Sequence, residues 1–264
     1  MIKTLLDASA FVGSSLWRTA AAAIVLTLLW WILAYSAFVN PLFLASPKEV
    51  FDFLRTVPSS KEHSEAIIAT VKRVGWASAI ILSIAIPLGL TLGYLAGFYS
   101  FLKGVLDFIR SIPPVVVLPI FLFIWKGTEE QVDRGRIALA CFGTIPIVVF
   151  QIAEIVEKIP RERRDFARLL NAGYLFIIRR ILFYETLPFV FVAARVAVSF
   201  SIIIIVVSEM VFSPQFGIGK RITVAQYSSQ TQIVYAYALL IGMIGYTFNL
   251  ITALLEKLAS RWRK

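Results

Sequence analysis

One cysteine and one histidine stand in 264 residues, and that scarcity removes several chemistries at once. Cys141 alone forms no intramolecular disulfide, and with His63 as the one imidazole there is no Cys/His set at metal-ligand spacing. The sequence also lacks a G-x-x-x-x-G-K-[ST] phosphate loop, an H-E-x-x-H helix and a G-x-S-x-G turn. Nucleotide hydrolysis and covalent catalysis are therefore not expected of this chain, and it is read as no enzyme. Charged residues make up only 16 %. No short apolar core followed by a small-residue cleavage site opens the sequence, so the N-terminus is expected to be retained.

What abounds is apolar: 59 % of residues, with a mean hydropathy of +0.81, against roughly 45–50 % in soluble domains. The expectation is an all-α polytopic membrane protein, one domain over residues 1–264 with its core at 67–258. The length accommodates about six spans of about 20 residues each. A net charge of +10 in so apolar a chain reads as topology signals and contacts with membrane lipid, not as a nucleic-acid surface.

In order, residues 1–16 are mildly amphipathic and are placed at the interface, and 18–39 is the first predicted span, with Trp17, Trp30 and Trp31 for the headgroup belts. Within the polar stretch 40–73, Ser46 is predicted to cap a helix opening on Pro47. The second span, 74–98, carries Gly89, Gly93 and Gly97 at four-residue spacing, which lets helix backbones approach closely, and Pro87, expected to kink it. Residues 99–111 present Lys103, Asp107 and Arg110 on one face, expected at the cytoplasmic surface. The stretch 112–125 is short and holds Pro113, Pro114 and Pro119. Irregular backbone at membrane depth survives only against protein or a watery cavity, so Pro113 and Pro114 are candidates for a pathway wall. Residues 126–136 are expected outside, and 137–155, 187–212 and 232–255 are the remaining predicted spans. The external loop 213–231 and the basic tail Arg261-Trp262-Arg263-Lys264 complete the plan.

Ionisable residues inside spans mark pathways or structural pairs. Arg195, with Ser199 one turn on, either faces a pathway or dimer centre or pairs with another helix. Glu209 is expected at a solvated outer end. Fourteen residues, roughly 21 Å of helix, keep Arg195 and Glu209 from pairing with each other.

The chain is organised around residues 157–186, the one long polar stretch with helical order. Pro160 suits a helix start, and a helix is predicted over 161–172. Phe166, Leu169 and Leu170 fall at i, i+3 and i+4, so one side is able to dock on something apolar. Asn171-Ala172-Gly173 ends the helix, because Asn and Gly tolerate positive φ, and a second short helix is predicted over 174–182. Seven Lys and Arg between 155 and 182 place this loop in the cytoplasm, and six spans then put both termini there. Lys72 and Arg73, outside by that scheme, are its exception.

Asp165-Phe166-Ala167-Arg168, Asn171-Ala172-Gly173 and Leu187-Pro188 together resemble the EAA loop of ABC importer permeases, more narrowly the permeases for sulfonate, taurine and nitrate. The resemblance extends, in the same order, through Pro41 to Pro47, Thr70-Val71-Lys72-Arg73-Val74, Ile112-Pro113-Pro114, Ser208-Glu209-Met210 and Phe216-Gly217-Ile218-Gly219. Departures are Asp165 for the usual Glu, Asn171 for the usual Gly, and Phe183-Tyr184 where a first Leu-Pro pair would fall.

The resemblance implies a type I importer-like permease, with Arg164, Asp165, Ala167, Arg168, Asn171 and Gly173 in an ATPase-coupling loop and Ala167 near the contact. It further implies two ATP-binding cassette subunits that use ATP and Mg, a second permease copy, a solute-binding protein, and a bacterial inner membrane location. No cofactor is expected on this chain itself. The implied cargo is a small anion such as a sulfonate or nitrate. The alternative left by the residues is an ion-coupled secondary transporter or channel without an ATPase.

Overall fold

The computed structural model describes residue 17 and residues 21–36, 40, 43–212 and 214–259. The interfacial segment 1–16, the basic tail, Pro41 and the ends of the first predicted span lie outside the described residues. Every regular element among those described is helical. They are α1 (Ala21–Ala34), α2 (Pro47–Thr56), α3 (Lys61–Tyr94), α4 (Ala96–Ser111), α5 (Pro114–Ile124), α6 (Glu129–Glu157) and α7 (Arg161–Leu169). There follow a short α8 (Tyr174–Phe176) running through a π turn (Ile177–Leu182) into α9 (Phe183–Val211), then α10 (Ile218–Tyr227) and α11 (Thr231–Ala259).

Four stretches are long and apolar enough to cross a bilayer: α3, α6, residues 174–211 and α11. α4 and α5 pass the same test only when taken together, as a pair bent by 84° at the Ile112-Pro113 break. The described part of α1 is shorter, about 21 Å at 1.5 Å per residue.

Helix ends differ from expectation at polar stretches. The second span starts at Lys61, not 74, and the fourth at Glu129, not 137, so Lys72, Arg73 and Arg136 are helical residues and 129–136 is no loop. The external loop 213–231 contains α10. The capping box at Ser46 is present as expected: its hydroxyl accepts from Glu49 N–H (3.3 Å), and Glu49 Oε2 accepts from Ser46 N–H (2.9 Å). Thr128 and Gln131 repeat the device at the start of α6.

The core lies where α3, α6 and α9 meet, through Ile81, Leu90, Leu139, Val149, Ile152 and Ile205. Two of the three glycines on the four-residue spacing explain how α3 and α6 come so near. A Cβ at Gly89 would lie 2.7 Å from Ile152 Cβ, and one at Gly93 2.6 Å from Val156 Cβ and 2.7 Å from the Ala153 carbonyl. Gly97 sits in α4 with open space around it. Gly93→Leu is therefore expected to cost about 1–3 kcal/mol through overpacking, read as a lowered unfolding midpoint in detergent. Gly97→Ala should leave that midpoint in place, and equal behaviour of the two would refute the close contact.

The charged side chains of α4 stay partly exposed while leaning toward α6. Lys103 pairs with Glu154 of α6 (4.0 Å), and the Lys103 and Arg110 cations lie 5.3 and 4.6 Å from the Phe150 ring centroid, while Phe101, Val105 and Phe108 are exposed. A helix packed this way shows its apolar side to lipid or a partner.

Candidate functional site

Two arrangements stand at opposite ends of the bundle. At one end, Pro160 precedes α7, and the helix closes in a Schellman motif: Ala172 N–H donates to the Ala167 carbonyl (3.0 Å) and Asn171 N–H to that of Arg168 (2.9 Å). Asn171 takes the left-handed conformation at φ 54°, which Asn accommodates best after Gly. The predicted helix thus ends at Leu169, and Gly173 holds an ordinary φ of −67° with nothing near its Cβ position.

Phe166, Leu169 and Leu170 project outward as one apolar ridge, Leu169 being 81 % exposed. Ala167 faces the other way. It is 7 % exposed and belongs to the core that includes Ile177, Ile178 and Leu182, and Arg164, one turn earlier, is 8 % exposed. Ala167, expected near the contact, is therefore covered by core residues of this chain, while Phe166 beside it is exposed.

Two arginines tie this loop to the bundle. Arg168 donates to the Tyr94 hydroxyl at the end of α3 (2.8 and 3.2 Å), and Tyr94 meets Tyr174 edge-on at 5.0 Å. Arg163 pairs with Glu185 in the first turn of α9, and Asp165 lies 3.4 Å from Arg168.

At the other end, Glu209 is fully buried (0 % exposed), which corrects its expected solvated position. Its carboxylate accepts from Arg73 Nη1 (2.7 Å), the Thr70 hydroxyl (2.9 Å) and Gly219 N–H (3.0 Å). Thr70 Oγ1 also accepts from Ile218 N–H (2.9 Å), and Arg73 also donates to the Phe216 carbonyl (2.8 Å) and pairs with Asp133 (2.9 Å). Asp133 in turn pairs with the buried Arg136, which donates to the Phe212 carbonyl at 2.7 Å. Two cations and two carboxylates thus neutralise each other while joining α3, α6 and α9 to the segment entering α10.

Gly219 is required there, because a Cβ would come within 2.3 Å of the Val206 carbonyl and 2.6 Å of Glu209 Cβ. Beside the cluster a cavity of about 1010 Å³ opens between α3 and α6, lined by Lys72, Trp76, Trp125, Glu129 and Arg134 among others.

The remaining candidates do not converge. Arg195 is half-buried and paired with Glu256 of α11, the structural alternative for that charge, and Ser199 is exposed. Pro114 packs where Gly143 of α6 leaves room, its Cγ 2.4 Å from a Cβ there. Among the described residues no group of His, Cys, Asp and Glu is placed to hold a metal. Thr70-x-x-Arg73, which the sequence offers as part of the family resemblance, is also one helical turn of polar side chains facing one way beside an apolar run, the signal for a buried carboxylate partner.

Residues 85–263 match the family described as "Binding-protein-dependent transport system inner membrane component". The taurine transport system permease protein TauC of Escherichia coli (strain K12) is 24 % identical, covering 90 % of this chain and 86 % of that one. The nitrate import permease protein NrtB of Synechocystis sp. (strain ATCC 27184 / PCC 6803 / Kazusa) is 27 % identical, covering 91 % and 88 %. Among solved structures, an inward-facing conformation of the MetNI methionine ABC transporter contains a chain of the same fold, with a TM-score of 0.67, 18 % identity, and coverage of 77 % of this chain and 99 % of that one.

Proposed function

Because this chain belongs to the family of binding-protein-dependent transport inner membrane components, we propose that it forms the membrane pathway of an ATP-driven importer. Residues 157–186 would receive the motion of separate ATPase subunits. The observation that supports this most is the apolar ridge Phe166, Leu169 and Leu170, held outward on a helix whose own anchors run to α3 through Tyr94 and to α9 through Glu185.

The mechanics follow from continuity. Residues 174–211 form one helical rod of 38 residues, about 57 Å long. It starts beside the ridge and ends at Glu209, so displacement of α7 is delivered to the opposite end of the bundle. Closing and parting of two ATPases on ATP and Mg would rock α3 and α9 together, giving alternating access. Hydrolysis is assigned to those partner subunits. Two permease copies, two ATPases and a solute-binding protein make the working assembly, in a bacterial inner membrane with both termini cytoplasmic. The cargo is a small anion of the sulfonate or nitrate class, by likeness to the taurine and nitrate permeases.

Gentle purification from membranes tests the reading. Two ATP-binding chains should accompany two permease copies, and a cysteine at Thr128 in a Cys141→Ala background should react with impermeant reagent from the outside only. Transport by the permease alone in liposomes under an ion gradient would instead establish a secondary carrier.

A further inference from the structure

The loop end of the bundle contains a second cavity, of about 930 Å³, between the loop-proximal half of α3 and residues 174–184. That volume falls in the ~300–1,000 Å³ range of built ligand sites. Its α3 wall is Ile86, Pro87, Leu90 and Thr91; its other wall carries Phe176, Phe183, Arg179 and Arg180. No Asp or Glu lines it.

The two arginines are set apart from the rest of the loop. Arg163 is paired with Glu185 and Arg168 with Tyr94 and Asp165, whereas Arg179 and Arg180 are exposed and have no carboxylate partner among the described residues. Both belong to the π turn Ile177–Leu182, whose wider coil separates successive side chains by a smaller angle than an α-helix does. Two adjacent guanidinium groups on one side of a turn offer planar, charge-assisted donors of the kind that suit a phosphate.

The apolar part of the cavity continues onto the exposed side of α3. Ile84, Pro87, Leu88 and Thr91 share one side of α3, and Ile84 and Leu88 are exposed there. A free inorganic anion would leave this apolar wall uncovered, while an acyl chain would cover it.

We propose that this cavity is a binding site for one anionic phospholipid, its phosphate on Arg179 and Arg180 and its chains along Ile84, Leu88 and Phe183. A zwitterionic headgroup brings an ammonium group for which the lining has no carboxylate, so the site discriminates by headgroup charge. The inference needs only that the loop end lies at a headgroup layer. It does not rest on the pairing with ATPases, and its failure would leave that reading in place.

The test uses the purified intact complex in mixed micelles of dioleoyl phosphatidylglycerol and dioleoyl phosphatidylcholine, with retained lipid counted by native mass spectrometry. The wild type should retain phosphatidylglycerol with a preference of about thirtyfold, as expected for two arginines near a headgroup layer. The R179Q/R180Q variant should lose the preference, the charge-preserving R179K/R180K variant should keep most of it, and K72Q, at the opposite end, should match the wild type. Equal retention of the two lipids by the wild type overturns the proposal. So does displacement of bound phosphatidylglycerol by soluble glycerol phosphate, which would identify a free-phosphate site. If R179Q/R180Q yields no folded complex, the wild-type preference and its survival in R179K/R180K decide.

Discussion

Glu209→Ala is expected to give a permease that unfolds well below the wild-type temperature, with a loss of about 3–5 kcal/mol. The substitution leaves Arg73 inside the bundle with Asp133 as its remaining carboxylate, removes the acceptor for Gly219 N–H and leaves Thr70 Oγ1 only the Ala66 carbonyl at 3.2 Å. Against a total stability of about 5–15 kcal/mol, that loss is large. Size-exclusion chromatography after stepwise heating reads it directly. Glu209→Gln keeps an acceptor oxygen and should lie between the two. The double variant Arg73→Met/Glu209→Leu should recover part of the loss, because replacing both members of a buried pair by apolar groups is far less costly than stranding one. A Glu209→Ala protein with unchanged midpoint would show that the cluster does not hold the bundle's end together.

The second large effect separates the two faces of α7. Leu169→Glu places a charge on an exposed ridge, so the permease should insert, dimerise and melt as the wild type does, while losing its ATPases and ATP-driven uptake. Burying an unpaired carboxylate in a partner's apolar groove costs several kcal/mol. Ala167→Glu should act differently, since Ala167 packs beneath the helix against the 177–182 turn; there the charge disrupts the permease itself and lowers its own midpoint. Arg163→Ala, on a partly exposed pair with Glu185, should change ATPase retention by about 0–1 kcal/mol at most. Normal ATPase retention by Leu169→Glu would remove the ridge from the coupling scheme.

Local signals were legible in the sequence wherever one residue type solves one backbone problem. Ser46 and Pro47 open α2, Asn171 holds the left-handed turn, and Gly89 and Gly93 mark the close crossing of α3 with α6. Helix ends were less legible. Apolar runs report the part of a helix inside the bilayer, and α3 and α6 continue past it with polar residues in unbroken helical register. The partners of Glu209 were the least legible. Thr70 and Arg73 lie 139 and 136 residues away along the chain, and only the packing of α3 on α9 brings them to the carboxylate.

That last geometry bears on where the molecule can be cut. The stretch recognisable as family begins at residue 85, inside α3, whereas the cation and hydroxyl that satisfy its buried carboxylate come from the turns before it. A fragment or chimera joined at residue 85 would inherit Glu209 and Gly219 without Thr70 and Arg73. The joint that preserves the folding unit falls in the Ser60 region ahead of α3, and any transplant of α9 and α10 into another scaffold has to bring the first four turns of α3 with it.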